Sequence, residues 1–153
     1  MLNLRVRTEY CFRKAYGPLN KVIEATGGDT IGISDSGTWG HVAFNNACKK
    51  AGKKPLFGVE IPIVEDATDR SRQPTNEMSF IAKNNEGYLN LMKLESLSHI
   101  NMADVQPMIN KETLVKYKEG LIVLSAGLNG EIMHYAAIED YNNAYKSAVE
   151  YQK

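Results

Sequence analysis

Short runs of apolar and β-branched residues alternate along this chain with segments whose apolar residues recur at helical spacing, and that alternation restricts the fold more than any other feature. Residues 2–6 alternate apolar with polar, as a strand with one buried face does. Gly17-Pro18 then opens a helix that ends near Gly27-Gly28. Residues 30–34 form a second brief run stopped by Asp35-Ser36-Gly37, and a helix over about 39–51 follows, with Val42, Ala43, Cys48 and Ala51 as its inner face. Residues 55–64 are nearly continuously apolar, the pattern of a strand covered on both sides. The stretch 65–76, with Asp66, Asp69, Arg70, Arg72 and Pro74, reads as a polar surface loop. Residues 78–82 predict another strand, followed by a helix carrying Tyr88, Leu91, Met92, Glu95 and Leu97. A short helix is predicted over 111–118 and a buried strand over 120–125. One closing helix would present Ile132, Tyr135, Ala136, Tyr141, Ala144, Tyr145 and Ala148.

The expected class is therefore α/β, a mainly parallel sheet with outer helices, in open or barrel form. At 153 residues the chain is expected to be a single domain, 1–153. Eighteen basic and eighteen acidic side chains cancel, so no global field draws it to nucleic acid or an anionic membrane, and direct nucleic-acid binding is not expected. Lys49, Lys50, Lys53 and Lys54 form the only dense basic patch, read as a solvated helix end. Cys11 and Cys48 lie in no CxxC pair and read as buried thiols. His41, His99 and His134 lack a second ligand type at helical spacing and read as packing or surface residues, as do Trp39 and Phe44. No signal-peptide core or membrane-length apolar stretch is present, so a cytoplasmic location without a membrane partner is expected. No phosphate-binding glycine motif occurs, and Gly32-Ile33-Ser34-Asp35-Ser36 fails the nucleophile-elbow pattern at its fifth residue.

In parallel α/β folds, ligands gather at the carboxyl ends of strands. Those positions hold Arg7-Thr8-Glu9, Ser34-Asp35-Ser36, Glu60, Lys83-Asn84 and Ser125-Ala126-Gly127. Asp35 and Glu60 could hold a divalent cation together, or pair with Arg5 and Arg7. Spacing alone leaves both open.

Longer motifs narrow the reading. Leu4-Arg5-Val6-Arg7-Thr8-Glu9-Tyr10 is similar to a His-x-His-Ser/Thr-Glu-Tyr-Ser motif, and Ile33-Ser34-Asp35-Ser36-Gly37 to a Thr-Asp-His-Gly turn. The segments 49–60, 82–94 and 120–132 follow in matching order. Across nearly its whole length the chain resembles the PHP (polymerase and histidinol phosphatase) domain of bacterial DNA polymerase III α subunits. That resemblance implies a distorted (β/α)7 barrel, related to the TIM barrel, which at its best binds a metal cluster and hydrolyses phosphoesters. It also implies that the family's barrel continues past this chain, so that a partial barrel, truncated relative to the family, is expected.

The departures bear on chemistry. Arg5 and Arg7 stand where the resemblance places two ligand histidines, and a guanidinium has no lone pair to offer. Ser36 replaces a histidine, Glu77 falls near another, and Gly127 occupies a position that is often cysteine. Asp35 and Glu60 alone match the implied metal ligands that can be placed, and the expectation is a vestigial site holding no metal. Arg5 and Arg7 are expected to bridge Asp35, Glu60 and Glu77 instead. The implied function is a catalytically silent module in DNA replication, contacting replicative polymerase or proofreading exonuclease components, or a homo-oligomer that completes the sheet. The alternatives are a phosphoesterase or proofreading exonuclease using manganese or zinc on Asp35 and Glu60, and a standalone viral or mobile-element mimic that binds host replication proteins.

Overall fold

The structure, a computed structural model, describes residues 2–12, 14–69, 71, 73–100, 106–125 and 127–152. Arg70, Arg72 and Ala126 of the sequence reading lie outside the described residues. The first strand, β1 (Asn3–Val6), leads through a turn to α1 (Leu19–Ala25), which begins after Pro18, a residue pre-set for a helix start. β2 (Thr30–Asp35) lies parallel to β1, and α2 (His41–Lys50) carries the chain back to β3 (Lys54–Val64), which is parallel to β2 with Ile33 beside Phe57. β4 (Asn76–Ala82) is followed by α3 (Asn85–Ile100), the two-residue β5 (Ile109–Asn110), α4 (Lys111–Lys116) and β6 (Leu121–Ser125). A 3-10 turn (Gly127–Asn129), α5 (Glu131–Ala137) and α6 (Tyr141–Glu150) complete the order.

The sheet runs β1-β2-β3-β4-β6, with β5 beside the end of β3, and curls into a half-barrel. It is mixed, where a mainly parallel sheet was expected: β4 runs antiparallel to both β3 and β6. A parallel return needs a crossover of roughly a dozen residues or more, normally containing a helix. Among the described residues no helix lies between Val64 and Asn76, and the chain turns back. As a result Lys83 and Asn84 follow β4 at the end of the sheet opposite Asp35, and Glu77, at the start of β4, takes their expected place.

Side chains alternate across β3, so Val59, Ile61 and Ile63 share one face and Glu60 the other. The first face packs with Met78 and Phe80 of β4 against Leu91 and Leu94 of α3. Ile31 and Ile33 of β2 bury Leu19 and Ile23 of α1 with Phe44 and Cys48 of α2. On the other face Gly58 permits the close curl. A Cβ there would lie 2.6 Å from the Phe80 carbonyl oxygen and 2.9 Å from that of Ile33.

Three helix expectations are corrected. The buried stripe of α2 is His41, Phe44 and Cys48, while Val42 is 74% exposed. His41 takes the inward place because its ring nitrogens find partners, the Tyr88 hydroxyl at 3.2 Å and the Gly58 carbonyl at 3.1 Å. On α3, Gly87, Asn90, Leu91, Leu94 and Ser98 are buried and Met92 is exposed. The closing segment is two helices. Glu139, at φ 61°, breaks it, and Asp140 caps the second by accepting from the Asn143 N–H. That break turns Tyr141 and Tyr145 outward.

Candidate functional site

The face of the sheet opposite the helices α2 and α3 gathers charge around one carboxylate. Arg5 in β1 and Arg7, one residue past its end, project together, and β3 brings Glu60 across from them. Arg5 donates to Glu60 Oε2 from Nε at 3.0 Å and also from Nη2. Arg7 Nη2 reaches Oε1 at 2.6 Å and Oε2 at 2.8 Å. A third cation, Lys14, donates from Nζ to Glu60 Oε1 at 3.0 Å and to Glu77 Oε1 at 2.5 Å. Glu77 lies 3.6 Å from Arg7 Nη2 and accepts from Asn129 Nδ2 at 3.4 Å.

The Glu60 side chain is fully buried, whereas those of Arg5, Arg7 and Lys14 retain 30%, 29% and 34% exposure. The carboxylate thus loses its water while its partners keep part of theirs. Burial alone would make Glu60 harder to ionise, but hydrogen bonds from Arg7, Arg5 and Lys14 outweigh it and lower its pKa to about 2. Arg7 is raised by the same pairing, against its own desolvation. Three cations facing two carboxylates leave the group with one excess positive charge.

Asp35 is buried as well, yet its surroundings differ. It accepts from the Thr8 N–H at 2.7 Å and the Thr8 hydroxyl at 2.5 Å. Burial raises its pKa, and those two hydrogen bonds only partly oppose the rise. The expected bridge from the arginines to Asp35 is corrected in this respect: the ion pairs of Arg7 run to Glu60 and Glu77, and Thr8 holds Asp35. The carboxylates sit on opposite faces of neighbouring strands, since Asp35 is in register with Val59.

Ser36 hydrogen-bonds the buried Cys11 thiol, whose pKa is raised by burial against that contact. Gly127 opens the 3-10 turn at φ 72°, and a Cβ on it would stand 4.0 Å from Arg5 Nη1. Lys14 and Asn129 were not singled out by the sequence. Both lie outside strands, where no periodicity marks a side chain as inward. Among the described residues, no three His, Cys, Asp or Glu side chains gather as a metal ion would need. No described helix is long and apolar enough to cross a membrane.

Comparisons with known proteins agree with this architecture. The family model for the PHP domain matches residues 3–153. The DNA polymerase III subunit alpha of Helicobacter pylori is 30% identical over an alignment of 167 positions, covering 99% of this chain and 14% of the relative. That of Campylobacter jejuni is 33% identical, covering 85% and 11%, and that of Aquifex aeolicus 34%, covering 82% and 12%. The chain thus spans only about a seventh or less of the relatives it matches. A half-barrel with outer helices, Asp35 at the end of β2 with Glu60 inside β3, and a family match over 3–153 lead to one assignment: the chain belongs to the PHP domain family.

Proposed function

We propose that this chain is a catalytically silent PHP domain, one unit over 1–153, that serves DNA replication through protein contacts. The observation that carries the reading is the closure of Arg5, Arg7 and Lys14 on the Glu60 carboxylate. The residues present do not fit a PHP metal cluster. Arginine offers no lone pair, both Glu60 oxygens already accept from cations, and a divalent ion beside three permanent positive charges would meet direct Coulomb repulsion. The arginines act as covalent stand-ins for charge that a metal would otherwise bring. With hydrolysis removed, binding is the use that remains for the fold, and the similarity to DNA polymerase III alpha subunits directs that binding toward replicative polymerase or proofreading components.

Elemental analysis of the purified chain after incubation with manganese or zinc, joined to a phosphodiester hydrolysis assay, tests this. Fewer than about 0.1 ions per chain and no Asp35-dependent turnover are expected, because a structural-strength site would be filled near stoichiometry. A stoichiometric ion with turnover lost in Asp35→Ala would establish the phosphoesterase instead. Recovery of no replication protein with the full chain from replicating cells would contradict the contact role.

A further inference from the structure

A second concavity of about 500 Å³ lies at the opposite end of the sheet from Glu60, between α2, the start of β3 and the start of α3. Its size falls in the ordinary range of ligand-binding clefts, roughly 300–1,000 Å³. The floor is apolar: Val42, Leu56, Phe57 and Tyr88 line it. It is also rigid. The Phe57 ring packs 5.6 Å from Tyr88, 5.3 Å from His41 and 6.2 Å from Phe44, and His41 is fixed by two hydrogen bonds. The rim is cationic and amide-rich, with Lys54 and Lys83 on it and no acidic residue among the described residues of the lining. Neither lysine enters an ion pair among the described residues. In a chain of zero net charge, this local imbalance stands out.

We propose that this groove docks a short acidic peptide segment of a protein partner, an aromatic or large aliphatic side chain seated on Phe57 and Tyr88 and flanking carboxylates on Lys54 and Lys83. A prepacked apolar floor reduces the ordering cost of binding, and an anchor side chain in such a pocket commonly dominates interface energy. The two lysines select the sign of the partner and speed encounter. Nucleic acid is the weaker match. Base stacking needs open, parallel ring faces interleaved with several cations, and here the rings tilt into one another at 46° and 66° beside only two lysines. The inference rests on the protein-contact reading above and adds where the contact is made and what chemistry it takes.

The test uses the full chain and the peptide acetyl-Asp-Asp-Leu-Phe-Asp-Asp-amide, followed by amide chemical shifts. Saturable shifts at Val42, Phe57, Lys83 and Tyr88 are expected, with affinity reduced about tenfold or more in Lys54→Glu/Lys83→Glu, whose unchanged shift dispersion elsewhere reports an intact fold. No saturable shift up to millimolar peptide, or shifts undiminished in the double variant, would overturn the proposal. Stronger binding by oligothymidylate at the same residues would overturn it in favour of nucleic acid. Peptide binding in the groove, with no replication protein recovered by the full chain, would sink the replication reading and leave the groove standing; recovery without any peptide shift would do the reverse.

Discussion

Two buried carboxylates, Glu60 and Asp35, are stabilised in opposite ways, and substitution separates them. Glu60→Gln removes the anion beneath three cations. Breaking a buried pair costs roughly 3–5 kcal/mol, but Arg5, Arg7 and Lys14 can turn back toward water, so a loss of about 2 kcal/mol in denaturant unfolding is expected. The effect depends on pH with a definite sign. Glu60 is held at about 2, below its ordinary 4.5, so its contribution is complete above pH 4.5 and fades as pH falls toward 2. The stability gap between wild type and Glu60→Gln should close over that window. Asp35, raised by burial, runs the other way: its ionisation opposes folding as pH rises. Asp35→Asn keeps an acceptor for the Thr8 N–H and can donate to the Thr8 hydroxyl, so less than about 1 kcal/mol should be lost. Asp35→Ala strands the Thr8 N–H and should cost about 2 kcal/mol in the same unfolding measurement.

Elements were legible in the sequence where one pattern decided them, and obscure where tertiary context did. The expected strand over 30–34 and β2 (Thr30–Asp35) nearly coincide, because a β-branched run met a turn sequence at Asp35-Ser36-Gly37. Glu60 was identifiable within β3 from the motif around it. The direction of β4 was not, although the helix-free connection before it contained the answer. Val42 misled because an aliphatic residue was ranked above His41, whose inward position depends on Tyr88 and Gly58, which are distant in sequence. Lys14 was invisible for a related reason, as a turn lysine that finds its partners only once Glu60 and Glu77 converge on it. At the element scale Gly58 gives the clearest expectation. Gly58→Ala places a methyl against two backbone carbonyls of neighbouring strands, which cannot rotate away, and should destabilise by about 2–3 kcal/mol in thermal or urea unfolding.

For the molecule as a whole, the half-barrel divides labour between its two ends and its two faces. The helix-covered face holds the core, the opposite face holds the Glu60 cluster, and the groove at the far end sets Lys54 and Lys83 at the rim of an aromatic floor. On the reading proposed above, arginines standing in place of metal ligands would hold β1 and β3 together through Glu60 without an ion, and the fold would persist as a scaffold. The ionisation of Glu60 gives the most direct measurement of that exchange, followed by carbon-detected NMR of its side-chain carboxyl through an acid titration, with and without manganese. A midpoint near 2, with no selective broadening of Glu60 or Asp35 on adding the ion, is the expected result. A midpoint at or above the ordinary 4.5, or manganese broadening confined to those two carboxylates, would contradict it.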